Sequence, residues 1–389
     1  MKYKNIVVIG ACFPDNLLNK YIDKHLIADV PANVLCWKIV KGLHQNGINV
    51  HVINEHKLPK YPNATLVPKS KKIQTQGIKL SCYSYINLPY IDKFSKQFRI
   101  YSELKKIKPD LIIVYSLHSP YLNPALKYAN RNDIRIITVV PDLPQYMFSN
   151  RSVVGNLLKK IDMKVVETQA KKVNGFVLLT KQMASALNLS VPYTIIEGIS
   201  DNISDNCDAY SNGVSRTYIL YSGALSKKYG IDRLVDCFLK ANIDCELWLC
   251  GDGSYVSELK TIIEQNKKIR YLGMINRHEL RNIQINASLL VNPRDASDSY
   301  TRFSFPSKTM EYLSSGTPVM MEKLPGIPDD YYKYIIEVYN HDWSSSFERF
   351  FSMSEAERKI LGEKGREYVL RYKNAKEQCK KMVELMEKL

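Results

Sequence analysis

The feature that most constrains this chain is a series of short runs that are apolar at almost every position, each followed by a stretch of helical period. Asn5–Ile9 (NIVVI), Gly47–Ile53 (GINVHVI), Asp110–Tyr115 (DLIIVY), Ile134–Val140 (IRIITVV) and Gly175–Leu179 (GFVLL) are such runs. A strand with one face in water alternates apolar and polar residues. A strand that is apolar throughout is covered on both faces, as in a parallel sheet flanked by helices. Between the runs, Ala32–Leu43 (ANVLCWKIVKGL) sets Val34, Leu35, Trp37, Ile39 and Val40 mostly on one side of a helix. The first half therefore reads as a doubly wound α/β domain.

The alternation stops and then begins again. Ser200–Arg216 (SDNISDNCDAYSNGVSR) is polar and without period, as a linker is. After it come Tyr218–Ser222 (YILYS), a helix over Gly230–Lys240, Cys245–Cys250 (CELWLC), a helix after Gly253, Ile269–Leu272 (IRYL), a helix, and Ser288–Val291 (SLLV). A length of 389 residues suits two domains of about 200 each. The expected division is 1–198 and 199–389. Two charged helical stretches, Ser354–Tyr372 and Asn374–Leu389, close the chain. In the second, Met382, Val383 and Met386 form a narrow apolar stripe that requires a surface to dock on. No internal repeat of solenoid or propeller period is visible.

Composition removes whole classes. With 45% hydrophobic and 24% charged residues the chain is neither disordered nor a coiled coil. No apolar run approaches the roughly 20 residues of a membrane span, and the basic N-terminus runs straight into a strand with no cleavage site, so no signal peptide is expected. Eight cysteines without a Cys-x-x-Cys pair fit a reduced, cytoplasmic protein lacking structural zinc. Residues 1–200 carry 28 Lys and Arg against 12 Asp and Glu, whereas residues 201–389 carry 27 of each. All of the formal +16 thus lies in the first half. Such a half suits nucleic acid, anionic lipid or a phosphorylated ligand, or is simply a solvated surface. No nucleic-acid module or aromatic-basic stacking signature accompanies it, which speaks against nucleic acid.

Chemistry concentrates in the loops after the second-half strands. In YSGALSKKYGIDRL (221–234) a strand ends at Ser222, Gly223 lets backbone approach a ligand, and a helix starts near Gly230. Ligands of open α/β sheets sit beyond the carboxyl ends of strands, where helix N-termini favour anions. Lys227 and Lys228 in this loop are candidates to neutralise a diphosphate. LCGDGS (249–254) repeats the device, with Gly251 and Gly253 in a tight turn and Asp252 placed to cap the next helix. The densest signal is NPRD (292–295) followed by FSFPSKTMEYLSSGTPV (303–319). Ser304 and Pro306 predict a helix start with a hydroxyl N-cap and proline in the first turn. Glu311 lies too deep for a capping box. It is either an acceptor for a vicinal diol such as ribose or an exposed partner of Lys308, three residues back.

Together and in this order, these motifs resemble the retaining glycosyltransferases of the GT-B fold. The nearest likeness is to the family-4 enzymes that build bacterial capsule, lipopolysaccharide and exopolysaccharide. The similar stretches, YSGALSKKYGIDRLVDCF, LWLCGDGS, YLGMINRHEL, ASLLVNPR and FPSKTMEYLSSGTPV, span residues 218–320; fainter ones are PANVLCWKIVKGL, VVPDLPQYM and LLTKQMASAL. The resemblance implies an α/β protein of two Rossmann-like doubly wound domains facing a central cleft. The first would bind the acceptor, the second the nucleotide-sugar donor, and the last helix (about 374–389) would return to the first. By the same resemblance Glu311 binds the donor ribose, Lys228 belongs to the phosphate site, and Gly223 lies beside the donor; Gly251, in the turn of LCGDGS, is a further candidate for the donor site. Ser304, Phe305 and Pro306 form the loop whose backbone amides approach sugar and phosphate.

Two positions depart from that pattern. Phe303 stands where the family often has the first Glu of a Glu-x7-Glu pair, so a sugar-hydroxyl contact is lost there or supplied from elsewhere. Ala224 stands where an arginine often follows the glycine, leaving Lys227, Lys228 or Arg294 to balance the diphosphate. The N-terminal Gly-Gly turn is also missing, with Gly10–Ala11 or Ala32–Asn33 in its place. No Asp-x-Asp triplet occurs, which argues against the metal-dependent GT-A design. Departing charge would then be stabilised by Lys228, Arg294 and the helix near Pro306, with no metal or other cofactor. Retention would come from same-face attack, since no carboxylate pair can be assigned to a double displacement. Asp142, between two prolines, is a candidate to steer the acceptor hydroxyl or a turn-forming residue. His118, after the DLIIVYSLH strand, is a cleft candidate or a structural histidine. The expected partners are a nucleotide sugar, a lipid-linked oligosaccharide acceptor and the anionic inner face of the cell membrane. The membrane contacts expected are Lys69, Lys71 and Lys72, then Lys105, Lys106 and Lys108, then Lys159 and Lys160. A sugar-nucleotide 2-epimerase of the same fold and a catalytically silent partner subunit are the alternatives.

Overall fold

The computed structural model describes residues 2–14, 30–56, 58–89, 91–143, 153–200 and 217–389. The expected linker lies, apart from Ser200, outside the described residues. The chain divides into two compact units, Met1–Ile199 together with Ala375–Leu389, and Ser200–Asn374.

The first unit is built on eight strands: β1 (Asn5–Gly10), β2 (Asn49–Asn54), β3 (Lys71–Thr75), β4 (Ile78–Cys82), β5 (Leu111–Tyr115), β6 (Arg135–Val140), β7 (Gly175–Leu178) and β8 (Tyr193–Ile195). Their order is β3-β4-β2-β1-β5-β6-β7-β8, parallel except for the β3–β4 pair. The apolar runs take the centre; β5 is buried throughout, and β1 is buried at every position but Asn5. Helices α1 (Val30–Gln45), α2 (Ile91–Ile107), α3 (Ser119–Asn132), α4 (Val153–Ala170) and α5 (Gln182–Ala186) connect the strands. The β3–β4 hairpin escapes the apolar pattern because β3 reads Lys-Lys-Ile-Gln-Thr at a sheet edge. Its turn residues, Gln76 and Gly77, both have positive φ, the turn geometry that suits strand twist.

The second unit holds a six-stranded parallel sheet in the order β11-β10-β9-β12-β13-β14. These are β9 (Tyr218–Ser222), β10 (Glu246–Cys250), β11 (Ile269–Gly273), β12 (Leu289–Asn292), β13 (Val319–Glu322) and β14 (Ile335–Val338). Helices α6 (Ile231–Lys240), α7 (Val256–Gln265), α8 (Arg277–Ile285), α9 (Ser307–Ser315), α10 (Trp343–Ser352) and α11 (Glu355–Tyr372) belong to it. Its core gathers Ile219, Leu247, Leu289 and Met320 from the sheet with Phe238, Trp343 and Phe347 from the helices.

The chain then rejoins the first unit. Helix α12 (Ala375–Glu387) packs on α1 and buries Cys379, Met382, Leu385 and Met386, with Val383 half-buried beside them. Asn46 Nδ2 donates to the Lys376 carbonyl at 2.9 Å, tying the end of α1 to the start of α12. Among the described residues no helix is long and apolar enough to cross a membrane.

Candidate active site

In the second unit the carboxyl ends of β9, β10, β11 and β12 meet the start of α9. Gly223 follows β9 and Gly251 follows β10, both at positive φ (145° and 133°). Gly223 N donates to the Cys250 carbonyl at 2.7 Å, and Gly251 N to the Gly273 carbonyl at 2.8 Å, so three loops lock into one floor. A Cβ on Gly251 would run into the Gly223 carbonyl; one on Gly223 would take the place of the Lys308 ammonium. Only glycine fits either position.

Lys308, in the first turn of α9, lies on that floor. Its Nζ donates to the Tyr221 hydroxyl at 2.8 Å and stands 4.0 Å from the centre of the same ring. Desolvation, then the neighbouring Arg294, push its ammonium down to about 7 against the pull of Glu311. Arg294, half-buried after β12, stands 5.1 Å over the Tyr229 ring. Among the described residues neither cation has a carboxylate within ion-pair distance. Helix α9 adds free backbone N–H groups, since its N-cap, Pro306, makes no side-chain cap. Positive charge is thus gathered without an ion pair among the described residues, as in an anion receptor.

Ser304 is not the N-cap expected from the sequence. It is extended (φ −134°, ψ 132°), and α9 starts at Ser307. The reason is local: a residue before proline avoids the helical region, so Phe305 cannot open the helix. Phe305 and Pro306 are buried, with Phe305 packed on Tyr331 at 5.4 Å between ring centres, so this loop offers backbone to a ligand rather than side chains. Asp252 does not cap α7 either. Its Oδ1 accepts from Gly253 N at 2.8 Å, while the N-cap is Tyr255, because the turn extends past Gly253 before the helix begins.

Glu311 does not pair with Lys308, which turns away to Tyr221. Its Oε1 accepts instead from Gln284 Nε2 at 2.7 Å. Gln284, fully buried on α8, also donates to Ser222 Oγ at 3.2 Å, and that hydroxyl lies 3.2 Å from the Tyr312 hydroxyl. The carboxylate is therefore held in place from a second helix, 27 residues away in sequence. Lys228 is exposed at the rim, 5.1 Å over the Tyr300 ring. Lys227 is drawn off to Glu258 of α7, 2.8 Å away, and is not gathered with the other cations.

Arg233, Glu322 and His341 carry no visible sequence signal, while Asn292 and Asp295 come from the NPRD stretch. Arg233 of α6 donates to the Pro293 carbonyl at 2.9 Å and to Asp295 Oδ2 at 2.7 Å, pinning the loop that presents Arg294. Asp295, Glu322 and His341 bring three potential metal-ligand atoms within 4.8 Å of one another. The Arg233 guanidinium, 3.3 Å from Glu322 Oε1, supplies positive charge there. Asn292 is 1% exposed, and neither of its side-chain polar atoms has a hydrogen-bond partner. Such a buried amide is costly unless water or ligand reaches it.

The corresponding edge of the first unit is different. Lys96 of α2 donates to Glu55 at 2.8 Å and to Asp92 at 2.7 Å; Lys60 donates to Asp92 at 2.5 Å, and the Tyr121 hydroxyl donates to Glu55. Burial alone would raise the Glu55 carboxyl, but Lys96 and the Tyr121 hydroxyl outweigh it and hold it below the ordinary glutamate range. The Lys96 ammonium is raised in turn, its carboxylates overcoming desolvation. His118, the N-cap of α3, meets the Tyr121 ring edge-on at 4.8 Å between centres. Asp142 is exposed just beyond β6. Gly10 ends β1 and accepts from Glu55 N at 2.9 Å, while Asn33 Oδ1 accepts from Phe13 N at 2.8 Å, fastening the loop after β1.

The architecture is similar to that of sucrose-phosphate synthase from Thermosynechococcus elongatus, with a TM-score of 0.69 at 15% identity over 99% of this chain and 98% of that one. Residues 209–368, which hold every loop of the cationic site, match the family of glycosyl transferases group 1. The fold is GT-B. This GT-B chain is also similar to the lipopolysaccharide outer core galactosyltransferase WaaB (TM-score 0.63, 13% identity, 99% and 100% of the two chains). A third likeness is to the catalytic domain of starch synthase IV from Arabidopsis thaliana bound to ADP and acarbose (TM-score 0.67, 12% identity, 100% and 99%). No curated protein matches the chain by sequence. The group 1 match supports glycosyl transfer as the chemistry of this GT-B protein.

Proposed function

We propose that the protein moves a sugar from a nucleotide-diphosphate donor to a glycan acceptor with retention of anomeric configuration, without a divalent metal. The observation that carries this reading is the pair Arg294 and Lys308, without an ion pair among the described residues and partly buried over the Gly223–Gly251 floor. Cleavage of a glycosyl phosphate leaves negative charge on the departing diphosphate. Preorganised cations and helix N–H groups stabilise that charge most strongly where water is excluded. Lys308 takes the task of the arginine replaced here by Ala224, Arg294 supplies the second charge, and Lys228 guards the rim. Glu311, oriented by Gln284, accepts from the ribose diol. Gly251 and the backbone around Ser304, Phe305 and Pro306 approach the sugar and phosphates. His118 and Asp142 in the first unit are the candidates to guide the acceptor hydroxyl.

The acceptor is a lipid-linked oligosaccharide in bacterial surface polysaccharide synthesis, reached from the inner face of the membrane by the basic first unit. WaaB, named for lipopolysaccharide, supports that setting by likeness of fold. The test is a panel of nucleotide sugars read by thermal stabilisation, then by product on a lipid-diphosphate-linked sugar with and without EDTA. Transfer to the acceptor that survives EDTA is expected. Epimerised nucleotide sugar as the sole product, or activity lost to EDTA and restored by manganese, rejects the reading.

A further inference from the structure

We propose that the outer ridge of α2 is the surface by which the first unit seats itself on an anionic lipid bilayer; this rests on the membrane reading above and gives it a contact. Phe94 is 75% exposed and Phe98 72%. They stand one helical turn apart on the same face, with Ile91 at 48% three residues before Phe94. Ile86, whose N–H donates to Ser95 Oγ at 3.0 Å, adds a fourth exposed apolar side chain beside them. The opposite face of α2 (Asp92, Lys96, Ile100, Leu104) is buried, so the helix already has its core side and the phenylalanines form a separate, outward one. A contiguous exposed apolar patch rimmed by charge marks an interaction site.

The rim selects the partner. Tyr101 continues the ridge, and three cations surround its ring: Lys105 at 5.2 Å, Lys127 at 5.6 Å and Arg131 at 5.9 Å. Arg131 also donates to the Tyr101 hydroxyl at 2.8 Å. The two acids of α2 are withdrawn from this surface, Asp92 buried between Lys60 and Lys96, and Glu103 paired with Lys106 at 2.6 Å. Helix α3, which supplies Lys127 and Arg131, contains no acidic residue. Aromatic side chains that enter the acyl boundary, flanked by lysine and arginine that meet headgroup phosphates, match an interfacial helix on an anionic surface. Of the lysine clusters read from sequence, Lys105 belongs to this ridge. Lys72 and Lys106 instead line a separate groove of about 620 Å³ with Lys79 and His51.

The experiment is flotation of the full-length protein with phosphatidylcholine vesicles lacking or containing phosphatidylglycerol, at low and high salt. Wild type is expected to bind only the anionic vesicles. Phe94→Ser with Phe98→Ser should lower the partition coefficient on the order of tenfold at every salt concentration. Changing Lys105, Lys127 and Arg131 to Gln should remove most of the salt dependence. Circular dichroism and melting temperature serve as controls that these surface variants remain folded. In a Phe98→Trp variant, emission should shift to the blue and be quenched by brominated lipid only when the lipid is anionic. If wild type binds and the serine variant binds equally, the ridge is wrong while the membrane reading stands. If wild type binds no anionic vesicle, both fail. Concentration-dependent dimerisation lost in the serine variant, without vesicle binding, would make the ridge a protein contact and overturn the proposal.

Discussion

The two units carry polar groups at the same place, the carboxyl ends of parallel strands, and treat them in opposite ways. In the first, Glu55, Asp92, Lys60, Lys96 and Tyr121 satisfy one another, and the charged forms of Glu55, Asp92 and Lys96 are favoured. In the second, Lys308 and Arg294 form no ion pair among the described residues, and Lys308 holds its proton only weakly near neutrality. A network that satisfies itself stabilises a fold. Cations left without ion pairs are poised for an outside anion. The difference separates a structural polar site from a receptive one without reference to any ligand.

The same substitution in both units breaks this contrast most directly. Lys96→Met leaves the buried Glu55 without a cation, while Asp92 keeps Lys60, and should cost about 3–5 kcal/mol, read as an early shift of one urea transition. Lys308→Met removes a desolvated cation with no ion pair and should leave the ligand-free melting temperature unchanged or a few degrees higher, about 2–4 °C. If both substitutions destabilise alike, the contrast is wrong.

Donor binding sharpens it next. Lys308→Met and Arg294→Met should each weaken nucleotide-diphosphate binding by about 1.5–3 kcal/mol, as loss of a charged hydrogen bond does, measured by calorimetry. Lys227→Met, whose ammonium is committed to Glu258, should leave that affinity intact. Glu311→Ala is expected to cost about 1–3 kcal/mol in the same titration. Gln284→Leu should act in the same direction but more weakly, through the Glu311 carboxylate it orients.

The smallest effect is a pH slope. A bound diphosphate favours the charged ammonium, whereas the empty site releases that proton at about 7. Affinity should therefore be flat below about pH 7 and fall above it, by at most about tenfold per pH unit. Lys308→Arg should flatten the profile, because guanidinium stays charged. A wild-type profile that is flat between about pH 6 and 9 would remove Lys308 from the phosphate site.

The central strands are legible because burial on both faces writes itself as continuous apolar runs, as in Leu111–Tyr115. Three outer strands are not. Strand β3 is Lys-Lys-Ile-Gln-Thr, and β8 and β14 have only three and four residues. Of the site, the glycines and Glu311 can be picked out because turn geometry and a misplaced carboxylate are visible locally. Lys308 reads as the helix partner of Glu311, and its turn toward Tyr221, 87 residues away, is a tertiary fact. Gln284 and Arg233 look like ordinary helix residues. Nothing local in the sequence marks the pair Glu55 and Lys96, whose partners lie 41 residues apart.

Helix α12 gives the molecule a fixed order of completion. Cys36, Ile39, Val40 and Leu43 of α1 share one core with Cys379, Met382, Leu385 and Met386. During synthesis the first of these groups leaves the ribosome more than three hundred residues before the second. The first unit therefore has to wait with an apolar flank uncovered while the whole of the second unit is made and folds. Its last step is a long-range closure by a segment of thirteen residues, and contacts of such high sequence separation are slow to form. A nascent chain halted anywhere before Ala375 would display that flank to chaperones and proteases, so only molecules that include α12 can hide it.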